Sequence, residues 1–195
     1  MIQAFHNLVQ ENLKEGIIVA EVGTYDGATT RGVAPLVKQV NGKYIAVDWF
    51  KGNPTAAGEH SFDEGKHDSV LEIFKNSIKE TDCEDIVEIY DMTSLEAASK
   101  LKDKSLDICF IDADHRYEFI KQDIIAYLPK IKKGGILCGH DLEKDHIDSV
   151  DQFTEEDLLV DCGRFGHAGV IKAVYETIGF DKITFLGDNV WMTVI

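Results

Sequence analysis

Apolar positions along this chain follow two alternating rhythms. Ile17-Ile18-Val19-Ala20, Tyr44-Ile45-Ala46-Val47, Ile86-Val87 with Ile89-Tyr90, Ile108-Cys109-Phe110-Ile111 and Ile136-Leu137-Cys138 are short, nearly unbroken runs. Such runs suit strands buried on both faces. Between them the spacing changes to three and four. Val33, Leu36, Val37 and Val40 predict a helix opening at Ala28. Val70, Leu71, Phe74 and Ile78 predict one to about Lys79. Phe119, Ile120, Ile124 and Leu128 predict one stopped by Pro129, and Val170, Ala173, Val174 and Ile178 another. Thr93 and Ser94 cap a short helix through Leu95, Ala98 and Leu101. Phe5, Leu8, Val9 and Leu13 predict an amphipathic helix over residues 3–14, ended by Gly16. Strand alternating with helix predicts an α/β fold with a doubly wound, mostly parallel sheet. Residues 182–186 and 190–195, joined by Gly187-Asp188-Asn189, predict a C-terminal hairpin.

Two stretches break the rhythm. Residues 50–66 are rich in turn formers and predict a long loop beside the strand ends, placed to shape a substrate pocket. Residues 141–157 hold eight Asp or Glu against one Lys. They read as a solvated acidic loop, with a substrate lid as the alternative, because they leave the end of the fifth strand. No internal repeat or interdomain linker is visible, so residues 1–195 are expected to form one domain, with residues 141–166 as an acidic insert.

Each predicted strand runs into an acid: Glu21, Asp48, Asp91, Asp112 and Asp141. Ligands of open α/β sheets bind at those carboxyl ends. Five acids in succession therefore suggest a polar ligand-binding rim. After the first strand, Gly23-Thr24-Tyr25-Asp26-Gly27 leads into a helix. A glycine turn at a helix N-terminus lets backbone approach a ligand closely.

The chain has 195 residues, with 35 acids against 20 bases and a formal net charge of -15. So negative a surface repels phosphate backbones, which disfavours nucleic acid as a partner. No apolar run approaches the roughly 20 residues of a membrane helix. Residues 1–14 lack the pattern of a signal peptide. Cys83, Cys109, Cys138 and Cys162 show no paired spacing, and a reducing, cytoplasmic setting is expected.

Glu21-x-Gly23-x-x-x-Gly27 followed by Asp48 resembles the class I S-adenosylmethionine (SAM)-dependent methyltransferases. Phe110-Ile111-Asp112-Ala113-Asp114-His115-Arg116-Tyr117 and Gly134-Gly135-Ile136-Leu137-Cys138-Gly139-His140-Asp141 narrow the likeness to their small-molecule O-methyltransferase-like group, similar to methyltransferase family 24. That resemblance implies a Rossmann-like, seven-stranded sheet whose last strand is antiparallel. It implies SAM as cofactor, held by Glu21, Gly23, Thr24, Tyr25, Gly27, Asp48, Trp49, Asp91, Met92 and Asp112. Glu21 would orient the turn or meet the methionine ammonium. Asp48 would accept both ribose hydroxyls, Trp49 would pack on adenine, and Asp91, beside Met92, would accept the adenine amino group.

The same resemblance implies methyl transfer to an oxygen of a small-molecule acceptor, and it allows a homodimer. His115, His140 and Asp141 are the candidate catalytic residues. A histidine three residues after the fourth-strand acid is the general base in macrolide-sugar O-methyltransferases, and an unperturbed imidazole suits that task. Metal-dependent relatives bind a divalent ion, Mg2+ or another, at positions matching Asp112 and Asp141. They add a polar ligand at the next position, which here is Leu142. Two other readings remain open. Asp112, Asp114, His115, His140 and Asp141 could serve a metal-dependent hydrolase, and a SAM-binding module without catalysis would explain Leu142.

Overall fold

The apolar runs become five adjacent parallel strands. The computed structural model describes residues 2–52 and 67–195, with backbone alone at 67 and 68. β1 is Ile18–Val22, β2 Lys43–Asp48, β3 Val87–Asp91, β4 Leu106–Ile111 and β5 Ile131–Gly139. β6 (Thr184–Phe185) and β7 (Trp191–Val194) form the expected hairpin, and β7 lies antiparallel to β5. The seven-stranded order is β3-β2-β1-β4-β5-β7-β6. Strand order reverses between β1 and β4, which opens a crevice at their carboxyl ends.

Alternation along each strand divides the core into two layers. Val19, Ala46, Ile108 and Phe110 face one cluster, with Phe5 of α1 (Gln3–Glu11), Val33 of α2 (Ala28–Lys38) and Phe74 of α3 (His67–Glu80). Phe5 and Phe110 stack with centroids 4.1 Å apart. Ala20, Val47, Cys109 and Ile111 face the other, with Ala97 of α4 (Ser94–Lys100), Ile124 of α5 (Tyr117–Tyr127) and Val174 of α7 (Ala168–Thr177). Burying each such aliphatic or aromatic side chain contributes about 1.5–3 kcal/mol. Trp191 is fully buried, and its ring occupies the space that a Cβ at Gly139 would need.

Several boundaries differ from expectation. α1 ends at Glu11 rather than at residue 14, where the Asn12 amide group donates to the Leu8 carbonyl. β5 begins at Ile131, because Leu106 and Ile131 already pair ahead of a register shift. The acidic stretch is not plain loop. A 3-10 helix covers Lys144–Gln152, and α6 covers Glu155–Leu159. Val150 is buried there, while Ile147 and Phe153 pack against the second core cluster. Thr154 and Asp157 form a capping box that starts α6. The loop expected at residues 50–66 lies, from residue 53, outside the described residues. Among the described residues no helix is long and apolar enough to cross a membrane.

Candidate active site

The turns after β1 to β4, together with α5 and α6, enclose a cavity of about 750 Å³. Asp48, the last residue of β2, organises one side of it. Its Oδ2 accepts from the Tyr25 backbone N–H at 2.8 Å and its Oδ1 from that of Phe50 at 2.7 Å. Both donors sit in left-handed turns, Tyr25 at φ 45° and Phe50 at φ 56°. Burial raises the pKa of Asp48, against the pull of these backbone hydrogen bonds. A backbone hydrogen bond from Thr24 reaches the same carboxylate, and the accepting capacity left over is open to a further donor. Trp49 and Met92 line the same cavity, and Met92 N–H donates to the Asp48 carbonyl.

The glycine turn is built differently from the expectation. Gly23 lines the cavity at φ 90°, yet a Cβ there would first collide with the Asp112 carbonyl. Its bareness lets the β1 turn pass over the end of β4. Gly27, at φ 81°, starts α2 and lies against Phe74 and Ser77. Thr24 is buried behind the turn. Glu21 lies one residue before the end of β1, so its side chain shares the face of Val19 and points toward α2. Oε2 accepts from Thr30 Oγ1 at 2.5 Å and Tyr44 OH at 2.6 Å. Burial raises its pKa to about 8. Glu21 thereby ties the end of β1 to α2 and β2. Neither Glu21, Thr24 nor Gly27 lines the cavity, and Asp91 is exposed outside it.

On the far side of β4, the strand ends gather imidazoles and carboxylates. His115 Nε2 is 3.2 Å from Asp141 Oδ2 and 3.5 Å from Asp112 Oδ1. His115 Nδ1 is 2.9 Å from Asp161 Oδ1. His140 Nδ1 is 3.1 Å from Asp141 Oδ2 and 3.5 Å from Asp112 Oδ1. His167, the N-cap of α7, places Nδ1 2.6 Å from Glu143 Oε1 and 3.6 Å from Asp141 Oδ1. Asp141 itself is in a left-handed conformation at φ 57°.

The charges set one another's proton affinity. Burial alone would lower the pKa of His115, but Asp112, Asp161 and Asp141 outweigh it and raise it to about 10. His140 likewise reaches about 10, where Asp112 and Asp141 overcome burial. Burial opposes the ionisation of Asp112, yet the two imidazoles beside it hold its pKa at about 2. The near-neutral imidazole expected at residue 115 is therefore absent from this arrangement, because carboxylates surround the ring. The donors fit a divalent cation. Asp112, His140 and Asp141 form one group of ligand atoms within 4.8 Å of one another, and His115, Asp141 and His167 form another. His115 Nε2 is buried and makes no hydrogen bond of good geometry. Such imidazole and carboxylate sets suit first-row divalent metals.

Residues 20–142 match the family described as Methyltransferase domain. The chain belongs to the SAM-dependent methyltransferases. The segment matched in this methyltransferase contains Asp48, Asp112 and Asp141, while Asp161 and His167 lie beyond it. Solved structures share the fold. A Staphylococcus aureus protein provisionally described as a caffeoyl-CoA O-methyltransferase is 18% identical, with TM-score 0.66, over 99% of this chain and 81% of that one. The O-methyltransferase TomG of Streptomyces achromogenes, involved in tomaymycin synthesis and solved with SAM, is 14% identical with TM-score 0.67, over 97% and 77%. A Clostridium thermocellum protein provisionally described as an rRNA methylase is 14% identical with TM-score 0.64, over 98% and 95%. No curated protein sequence matches the chain.

Two residues of the methyltransferase site, Asp161 and Asp123, were not singled out from the sequence. Asp161 reaches the cluster only through the path of the acidic segment, and no local pattern marks it. Asp123 is buried in the cavity wall, where its Oδ1 accepts from Ser94 Oγ at 2.5 Å. Burial raises its pKa to about 7. A signal existed, since Asp123 sits on the same helix face as Ile120, Ile124 and Tyr127, where an acid is out of place.

Proposed function

We propose that this methyltransferase moves the methyl group of SAM to an oxygen of a small polar molecule, with residues 1–195 acting as one domain. The observation that carries the reading is a single cavity lined by both Asp48 and His115. Methyl transfer is an in-line displacement, so holding donor and acceptor in one cavity supplies much of the catalysis. Asp48 accepts the ribose hydroxyls with the capacity left over by Thr24, Tyr25 and Phe50. Trp49 and Met92 flank the adenine, and Ser94 and Asp123 face its polar edge in place of Asp91. Gly23 and Tyr25 border the methionine end, while Glu21, Thr24 and Gly27 support the turn from behind.

Acceptor chemistry falls to the cluster. A divalent ion, Mg2+ or a first-row metal, held by Asp112 and Asp141 with His140 beside them, would supply positive charge to the acceptor oxygen. His115, whose Nδ1 is held by Asp161, turns Nε2 toward Asp112 and Asp141. It becomes a base only once the surrounding carboxylate charge is neutralised. The test is transfer from SAM carrying a 13C-methyl group into a metabolite extract, read by heteronuclear NMR. New O-methyl signals are expected. Signals only from N-methyl or S-methyl products, or none, contradict the reading.

A further inference from the structure

The cavity has a one-sided charge. Asp48, Asp112, Asp114, Asp123 and Asp161 line it, and the cationic groups lining it are His115 and Arg116. Both are already engaged. Arg116 donates from Nε to Asp114 Oδ1 at 2.9 Å and pairs with the same carboxylate through Nη2. His115 is held by Asp161 on Nδ1 and faces Asp112 and Asp141 on Nε2. Among the described lining residues no side-chain cation is left to receive an anionic group, and a divalent ion at Asp112 and Asp141 would have its two charges balanced by those carboxylates.

One part of the wall is apolar where the segment around it is acidic. The segment's Ile147, Val150 and Phe153 go into the core, but Leu159 and Val160 do not. They are 60% and 38% exposed and line the cavity, just before Asp161 ties the segment to His115. Phe119 lines it too, at 43% exposure. Exposed apolar side chains around a cavity mark where an apolar ligand surface is received. Their nearness in sequence to Asp161 puts Leu159 and Val160 at the His115 end, where the acceptor belongs.

We infer that the acceptor is an uncharged or cationic hydroxyl compound with an apolar body, and that anionic acceptors, acyl-CoA thioesters among them, are excluded. The inference rests on the methyl-transfer reading above and narrows it. SAM itself fits the same field, because its sulfonium and ammonium outnumber its carboxylate. An acyl-CoA brings several phosphate charges and would meet carboxylates without a free cation. The similarity in fold to a protein described as acting on caffeoyl-CoA therefore does not extend to its acceptor.

The test separates a metabolite extract by charge before reaction into pools retained by cation exchange, retained by anion exchange, and unretained. Each pool is incubated with full-length protein and SAM tritiated on the methyl group. At least about tenfold more label is expected in the unretained and cationic pools together than in the anionic pool. Equal or greater label in the anionic pool overturns the inference while leaving methyl transfer intact. No label in any pool, from protein that still binds S-adenosylhomocysteine, overturns the methyl-transfer reading itself. With the accepted pool, Leu159→Asp should raise KM about tenfold or more without moving S-adenosylhomocysteine affinity. An unchanged KM would remove Leu159 from the acceptor site.

Discussion

Asp161 Oδ1 lies 2.9 Å from His115 Nδ1, and this contact joins the acidic segment to the loop after β4. The Asp161 side chain is 61% exposed, so the pair is screened by solvent. An exposed pair is worth about 0–1 kcal/mol. Asp161→Ala should therefore loosen the segment without unfolding the protein. Hydrogen exchange in α6 should accelerate by up to about fivefold, which corresponds to about 1 kcal/mol. The melting temperature should move by no more than about 4 °C. Unchanged exchange in α6 would show that the segment is held elsewhere, for example by Glu143 and His167.

Gly23→Ala tests why the turn needs glycine. The residue has φ 90°, and an added Cβ would strike the Asp112 carbonyl. Both effects oppose the substitution, and a loss of about 3 kcal/mol or more is expected. The urea midpoint measures it. A native midpoint would mean that the β1 turn and the end of β4 can separate freely.

Glu21 gives a pH dependence of stability. Its pKa is raised from 4.5 to about 8, first by burial. The folded state thus binds a proton that the unfolded state releases above about pH 4.5. The stabilisation is fully present below that pH and is lost as pH rises through 8, by up to about 5 kcal/mol. Chemical denaturation between pH 5 and 9 should show stability falling, and Glu21→Gln, which mimics the neutral carboxyl, should flatten the slope. An equal slope in the variant would place the titration elsewhere.

Asp141→Ala separates acceptor activation from cofactor binding. If a divalent ion serves the reaction, this variant should lose metal stimulation, while affinity for S-adenosylhomocysteine stays within about threefold. EDTA should lower wild-type turnover, and added divalent ion should restore it. Full turnover in EDTA, with no metal found by elemental analysis, would leave the chemistry to the side chains alone.

The sheet was legible because each central strand is buried on both faces and so is written as an unbroken apolar run. The strand-end acids were legible for the same reason, since each run stops at one. Their directions were not. Glu21 looks like Asp48 in sequence, but β1 continues to Val22 and turns the Glu21 side chain away from the cavity. Asp91 ends β3 beside Asp48 and still faces solvent. The acidic segment hid a helix behind its charge, although Thr154 followed three residues later by Asp157 is a capping signal. His167 and Asp161 meet His115 only because the chain folds back across the end of β5, which no spacing predicts.

The most direct measurement is calorimetric titration of the protein with S-adenosylhomocysteine. One site per chain is expected, and Asp48→Ala should weaken it by about 2–4 kcal/mol, because two hydroxyls lose a charged acceptor. That is roughly thirtyfold to several-hundredfold in Kd. Because Asp48 also holds the Tyr25 and Phe50 turns, Asp48→Asn, which keeps the acceptor oxygen, should lose less. No binding by the wild-type protein at millimolar ligand would contradict the account at its root, and equal affinity in wild type and Asp48→Ala would remove the ribose from Asp48.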